Sequence, residues 1–174
     1  MRLVLAQHSD IPAIKALMAL SMDALLPEVL TPEQAAKSSQ TMGLDTQLID
    51  DGTYYLVYIG HQLVGCGGWS RRRTLYGGNH THGRDDALAD PKTEPAKIRA
   101  MYTHPDFTRR GIGRALLEKG EDAARNEGFS TIELGATASG TLLYEVSGYA
   151  YIEDLSEPDE DGVIVPILRM RKVL

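Results

Sequence analysis

The sequence predicts a mixed α/β domain, a central sheet of about six or seven strands flanked by about four helices. Three observations predict it. Segments of period two and segments of helical period follow one another in the order β-α-α-β-β-β-α-β-α-β-β. Two apolar runs, YYLVYI and LVGCGGW, are parted by a short turn at Gly60-His61, which marks a β-hairpin. The stretch from Ala96 to Leu134 reads as strand, glycine-rich turn, helix, strand. At 174 residues, the chain 1–174 is expected to be one domain with a sizeable core.

Arg2 to Gln7 reads as the first strand. Ser9 or Asp10 can cap the helix that follows, and Pro12 suits its first turn. Ile14, Leu17 and Met18 give that helix its apolar stripe, and Pro27 ends it. Thr31-Pro32-Glu33-Gln34 is a second capping signature and opens a helix reaching about Met42. The hairpin from Tyr54 to Trp69 comes next. Gly65, Gly67 and Gly68 weaken its second strand, and glycines there mark a bulge or a close approach to the backbone. Trp69, the only tryptophan, serves either the core or the wall of a pocket. A long connection then runs to about Glu94, and loops of that length tend to be functional or disordered. A flexible loop over a binding site is its functional reading.

Lys97 to Thr103 is the central strand. Strict alternation puts Ile98, Ala100 and Tyr102 on one face and Lys97, Arg99, Met101 and Thr103 on the other. A helix from about Gly111 to Glu127 is closed by Gly128. Phe129 to Leu134 is a strand, Ala136 to Ser147 holds a short helix, and Tyr149 to Glu153 is a strand. Val163 to Arg171 is the last strand, with Pro166 suggesting an edge or a bulge.

The turn before the long helix, Thr108-Arg109-Arg110-Gly111-Ile112-Gly113-Arg114-Ala115, carries the most chemistry. Its glycines let a ligand approach the backbone. A helix start leaves N–H groups without intrahelical partners, and the helix dipole adds partial positive charge there. Arg109, Arg110 and Arg114 add full charges. Together these make a cradle for a pyrophosphate. A dinucleotide fingerprint is absent, since Leu116 stands at the third glycine position and Leu134-Gly135 where an acid is wanted.

This turn resembles the core motif of the GNAT superfamily of acyl-CoA-dependent N-acyltransferases. Met101-Tyr102-Thr103-His104-Pro105 is similar to that family's strand end, and Thr108 to Gly113 to its Gln/Arg-x-x-Gly-x-Gly/Ala turn, with Thr108 in place of Gln or Arg. Leu142-Leu143-Tyr144-Glu145-Val146-Ser147-Gly148-Tyr149 resembles its second signature. The likeness runs well from Tyr54 to Tyr151 and only loosely over the first fifty residues.

The resemblance implies the GNAT fold and transfer of an acetyl group from acetyl-CoA to an amine. It implies that the pantetheine arm runs along Met101, Tyr102 and Thr103, bonded to the backbone at Met101 and Thr103. It places the pyrophosphate on Arg109, Arg110, Gly111, Ile112, Gly113 and Arg114, with Ser139 a loose match to a further cofactor contact. Tyr144 aligns with the tyrosine that protonates the departing thiolate; an ordinary phenol, with a pKa of about 10, can donate at neutral pH. Some members carry a Glu as general base where this chain has Lys97. Lys97 and Arg99, with Arg71 or Arg73, are candidates to pair with a carboxylate or phosphate of an anionic amine, and Trp69 to wall that site. Met18, Met22, Leu25 and Leu26 are candidates to line it too. The alternative is a CoA-binding sensor module that has lost catalysis.

Composition excludes other classes. A net charge of −6 argues against non-specific nucleic-acid binding. Charge is uneven: Lys97 to Arg125 holds seven Lys/Arg against four Asp/Glu, whereas Glu153 to Asp161 holds six acids and no base. The first suits a polyanion; the second reads as a solvated hairpin loop. Cys66 is the lone cysteine, so no intrachain disulfide forms, and it reads as a small buried side chain. His80 and His82 lack a third ligand, so no metal is expected. No run reaches membrane-spanning length, and the N-terminus does not read as a signal peptide, so a cytoplasmic protein without membrane partners is expected. A small-molecule amine acceptor is the expected partner, and a homodimer is compatible with the sequence.

Overall fold

The computed structural model describes all 174 residues. Its strands are β1 (Arg2–Leu5), β2 (Tyr54–Ile59), β3 (Gln62–Ser70), β4 (Ala96–Thr103), β5 (Thr131–Thr137), β6 (Ala150–Asp154) and β7 (Ile167–Val173). Its helices are α1 (Ile11–Leu25), α2 (Pro32–Thr41), α3 (Gln47–Asp50), α4 (Ile112–Asn126) and α5 (Thr141–Val146). The seven strands form one sheet in the order β1-β2-β3-β4-β5-β7-β6. Only the β4–β5 pair is parallel.

The elements follow the sequence closely, with three corrections. The short helix α3 carries no helical stripe of its own and was not expected. β7 is not an edge strand: it inserts between β5 and β6, and Pro166 lies just before it, outside the ladder. The edge on that side is β6, exposed along its whole length. The third correction, in β4, shapes the site and is described below.

Both faces of the sheet are covered. On one face α4 packs over Val57, Val64, Trp69, Ile98 and Ile132, giving a cluster of 18 buried residues. On the other, α1 packs Ile14, Leu17 and Met18 against Tyr54, Leu56, Cys66 and Tyr102 in a cluster of 11. Tyr54 and Leu56 thus serve one face while Tyr55 and Val57 serve the other, so β2 reads as a continuous apolar run. Thr31 caps α2 as its sequence indicates: its Oγ1 accepts from Gln34 N–H at 3.3 Å, and Gln34 Oε1 accepts from Thr31 N–H at 3.1 Å.

One charged group is wholly buried in the sheet. Glu133 of β5 is flanked by Arg169 and Arg171 of β7, with Lys97 Nζ of β4 at 3.8 Å. Burial pulls the Glu133 carboxyl up, but hydrogen bonds from Arg169 and Arg171 outweigh it and hold its pKa below the ordinary 4.5. Replacing Glu133 with Gln is expected to lower stability by about 2–3 kcal/mol, because Lys97 and Arg171 then face no anion and Arg169 keeps only the exposed Glu153. A depressed pKa means this stabilisation is full above 4.5 and lost as pH falls through the folded value. Urea unfolding of both proteins should show a gap at pH 7 that narrows below the ordinary carboxylate range.

Candidate active site

The site begins where two strands part. β4 and β5 pair only at Ala96–Ile132 and Lys97–Glu133. Beyond Lys97, β4 has no strand partner on that side. A bulge accompanies the parting. Between the pairs Cys66–Tyr102 and Gly68–Arg99, Gly67 alone opposes Ala100 and Met101. Ala100 sits at φ 50°, the left-handed region, which costs a non-glycine residue about 1 kcal/mol. The Tyr54 hydroxyl donates to the Ala100 carbonyl at 2.8 Å and holds the bulge. A Cβ on Gly67 would lie 2.3 Å from Met101 Sδ, so the glycine makes room for the displaced strand.

The bulge corrects the alternation expected for β4. Ile98 and Met101 face α4, whereas Ala100 and Tyr102 face α1. It also sets the peptide groups. His104 N–H donates to the Val64 carbonyl at 2.9 Å. By strand alternation, Tyr102 likewise turns its peptide to β3, and Thr103 turns its own to the open side.

The turn before α4 is built as a cradle. None of the six N–H groups from Arg109 to Arg114 has a hydrogen-bond acceptor in the protein; the first one bonded is that of Ala115, to Gly111. Arg109 at φ 61° and Gly111 at φ 80° bend the chain so that successive N–H groups converge. Thr108 Oγ1 bonds back to the Pro105 carbonyl at 3.3 Å and closes the turn before it. Arg109, Arg110 and Arg114 are exposed and form no ion pair, and Arg110 lies over the Phe107 ring at 4.8 Å. The Ile112 side chain is buried, so that residue offers only its N–H.

A cleft of about 80 Å³ fills the gap between the strands. Ala100, Met101 and Tyr102 line it from β4, Leu134 and Gly135 from β5, and Tyr144 from α5. Tyr144 is seated by packing: its ring meets Tyr149 edge-on at 5.9 Å and covers Gly140, where a Cβ would lie 2.7 Å away. Burial pushes the Tyr144 phenol up to about 12, so it keeps its proton across the physiological range. No Asp, Glu or His lines the cleft. The chain thus carries free N–H groups for a polyanion at the start of α4, an open edge on β4 and a protonated phenol in the cleft, a set suited to acyl transfer. A model of the acetyltransferase (GNAT) family matches residues 15–149.

The chain belongs to that family.

It is an acyltransferase of the N-acetyltransferase type. An uncharacterized N-acetyltransferase of Bacillus subtilis, YsnE, is 25% identical over 130 residues, covering 72% of this chain and 74% of that one. A GCN5-related N-acetyltransferase from Rhodopseudomonas palustris superposes with a TM-score of 0.70 at 18% identity, covering 99% of this chain and 95% of the other. The PaiA N-acetyltransferase of Thermoplasma acidophilum, solved with coenzyme A, gives 0.65 at 12% identity and covers 99% and 98%. These two structures show the shared fold.

Within this GNAT domain the four residues expected at the acceptor have other partners. Trp69 is buried between β3 and α4, edge-on to Phe129 at 6.1 Å, away from the cleft. Arg71 lies over the Trp69 ring and pairs with Glu127 at 2.7 Å. Lys97 sits at the base of the parted strands, where Nζ donates to the Pro95 carbonyl at 2.8 Å. Arg99 does line the cleft, but its guanidinium bonds Asp45 at 3.0 Å and the carbonyls of Thr74 and Gly77 at 3.0 and 2.7 Å. Ser139 is exposed on the loop after β5, its Oγ 3.3 Å from Thr137 Oγ1.

Arg99 shows what the long connection is. Residues 71–95 are a strapped segment rather than a free loop. Arg84 reaches Asp45 at 2.8 Å, Arg72 clasps Asp51 at 2.7 and 2.8 Å, and Arg73 pairs with Glu94 at 2.7 Å. His80 bonds the Gln40 carbonyl and so joins the segment to α2. The strap lays Tyr76 over Gly135, where a Cβ would lie 3.2 Å from the ring. Asp45, Arg84 and Tyr76 escaped the sequence reading. The one available signal was Arg99 itself, a cation in an apolar central strand, which demands a buried acid.

Replacing Arg99 with Met is expected to release the strap. It removes three hydrogen bonds and one of the two arginines on a buried carboxylate, a loss of about 3 kcal/mol. Hydrogen exchange should then rise at residues 74–81 well above the change elsewhere. Uniform exchange across the chain would show that the strap is held by other contacts.

Proposed function

We propose that this enzyme transfers an acetyl group from acetyl-CoA to a primary amine of a small molecule by direct attack in a ternary complex. The observation that carries the reading is the six unbonded N–H groups at the start of α4, set beside the edge of β4 that β5 has left. The N–H groups of Arg109 to Arg114 hold the pyrophosphate, with the three arginines supplying charge. The peptides of Met101 and Thr103 bind the pantetheine arm as an added strand would. Neighbouring N-acetyltransferase structures solved with coenzyme A or acetyl-CoA support this assignment.

In the reaction the amine nitrogen forms a bond to the thioester carbonyl carbon, the carbon–sulfur bond breaks, and the sulfur takes a proton. Tyr144 is the donor. Its raised pKa suits a general acid that must stay protonated until the thiolate forms. The amine must arrive neutral, and with no carboxylate or imidazole in the cleft its proton leaves through water. Rate should therefore rise with pH along the amine's own titration and show no loss from Tyr144 ionising below about 12.

Two measurements test the reading. Coenzyme A at a hundredfold its Kd should stabilise the protein by about 2.7 kcal/mol in thermal unfolding. Tyr144→Phe should lower kcat by about 10²-fold or more while leaving the acetyl-CoA KM within a few-fold. Full activity in Tyr144→Phe would remove the general-acid role.

A further inference from the structure

One buried carboxylate lies outside the cleft and still reaches toward Tyr144. Glu121 stands in the apolar stripe of α4, among Leu117, Gly120 and Ala124, and is 3% exposed. A carboxylate so placed needs partners on both oxygens. Its Oε1 accepts from the Tyr149 hydroxyl at 3.0 Å, and its Oε2 from Lys172 Nζ at 2.7 Å, with Arg125 at 3.8 Å. Burial, and the Glu121 charge beside it, hold the Tyr149 phenol far above its ordinary value, so the proton stays on Tyr149 and is donated to the carboxylate.

Tyr149 is in turn what Tyr144 rests against. The Tyr149 N–H donates to the Tyr144 carbonyl at 3.0 Å, and the two rings meet edge-on. Burial is the one influence on the Tyr144 phenol, so packing rather than a hydrogen bond aims it. The helix that carries Glu121 also opens at the N–H cradle. From Ile112 to Glu121 it runs about 13 Å along its axis. Its first turn presses on α5 as well, where a Cβ on Gly113 would lie 2.6 Å from Leu143 Cδ2. Thus α4 meets this segment twice, at Leu143 next to Tyr144 and at Tyr149 just past α5.

Resting on the reading of Tyr144 as general acid, we propose that Glu121 is a positioning residue for the transfer. Through the Tyr149 hydroxyl it fixes the ring against which Tyr144 is set. The acid is thereby held at a constant distance from the cradle at the other end of the same helix segment. Glu121 does not line the cleft, so its effect passes through Tyr149. An ion pair that served stability alone would need Lys172 and not the Tyr149 hydroxyl.

Tyr149→Phe keeps the ring and the Glu121–Lys172 pair and removes only the bond between them and Tyr149. The readout is acetyl transfer from acetyl-CoA to hydroxylamine, a small amine that is neutral at pH 7, by the full chain. The expected result is a fall in kcat of about tenfold with the acetyl-CoA KM within about twofold, short of the roughly 10²-fold that an ångström of misplacement can cost. Glu121→Leu should fall as far, whereas Glu121→Gln, which keeps an acceptor for the Tyr149 hydroxyl, should recover most of that loss. In a Tyr144→Phe background, Tyr149→Phe should lower kcat no further, because the path ends at the Tyr144 hydroxyl. An equal loss in both backgrounds would show a general structural effect and overturn the proposal. So would an unchanged kcat in Tyr149→Phe, or a loss in Glu121→Gln as deep as in Glu121→Leu. If Tyr144→Phe is slow and Tyr149→Phe is not, the general-acid reading stands and only the role of Glu121 falls. If Tyr144→Phe is fully active, or the parent protein forms no hydroxamate, that reading falls and the proposal with it.

Discussion

The parting of β4 from β5 after Lys97 is the constraint on which the site depends. A buried parallel pair satisfies its peptide groups across the ladder. Here the ladder stops after two residue pairs, and the bulge at Ala100 turns the freed strand away. The Thr103 peptide, turned to the open side, then has no strand to pair with. The same parting opens the cleft into which α5 delivers Tyr144. Gly67 and the Tyr54 hydroxyl keep the bulge in place, so two residues outside the cleft set its geometry.

Two buried carboxylates stabilise this opened sheet. Glu133 ties β5 to β7 below the gap, and Asp45 ties the strap to β4 beside it. A sheet interrupted at its centre loses cross-strand hydrogen bonds, and ionic clasps with good geometry offset part of that loss. Asp45 is met by Arg99 and Arg84 and by the Gln47 N–H at 3.1 Å, so its oxygens are well satisfied for a group almost wholly excluded from water. The strap beside the cleft is therefore fixed by charge pairing between segments far apart in sequence.

That distinction explains what was legible in the sequence. Elements with their own periodicity or caps, such as α1, α2, the β2–β3 hairpin and α4, could be read directly. The cradle could be read too, because it depends on glycines and a helix start within eight residues. The bulge could not: Ala100 carries no local mark, and only its pairing with Gly67 reveals the extra residue. Lys97, Arg99 and Arg71 looked like free cations because their partners, Glu133, Asp45 and Glu127, lie on other elements. The acids after β6 lie on an exposed hairpin, as the sequence reads them; the ion pairs of Lys37 with Asp159 and Asp161 could not be read, because more than a hundred residues separate the partners.

Charge placement around the cleft bears on the proposed chemistry. An anion touching the reacting nitrogen would hold it as an ammonium, which cannot attack a thioester. The cleft around Tyr144 contains no carboxylate and no imidazole, and its burial penalises the charged form of whatever enters. The one cation that lines it, Arg99, is already bonded to Asp45 and to the carbonyls of Thr74 and Gly77. A cleft without a free charge keeps an entering amine neutral by desolvation alone, and it asks of Tyr144 only that it hold its proton until the thiolate forms.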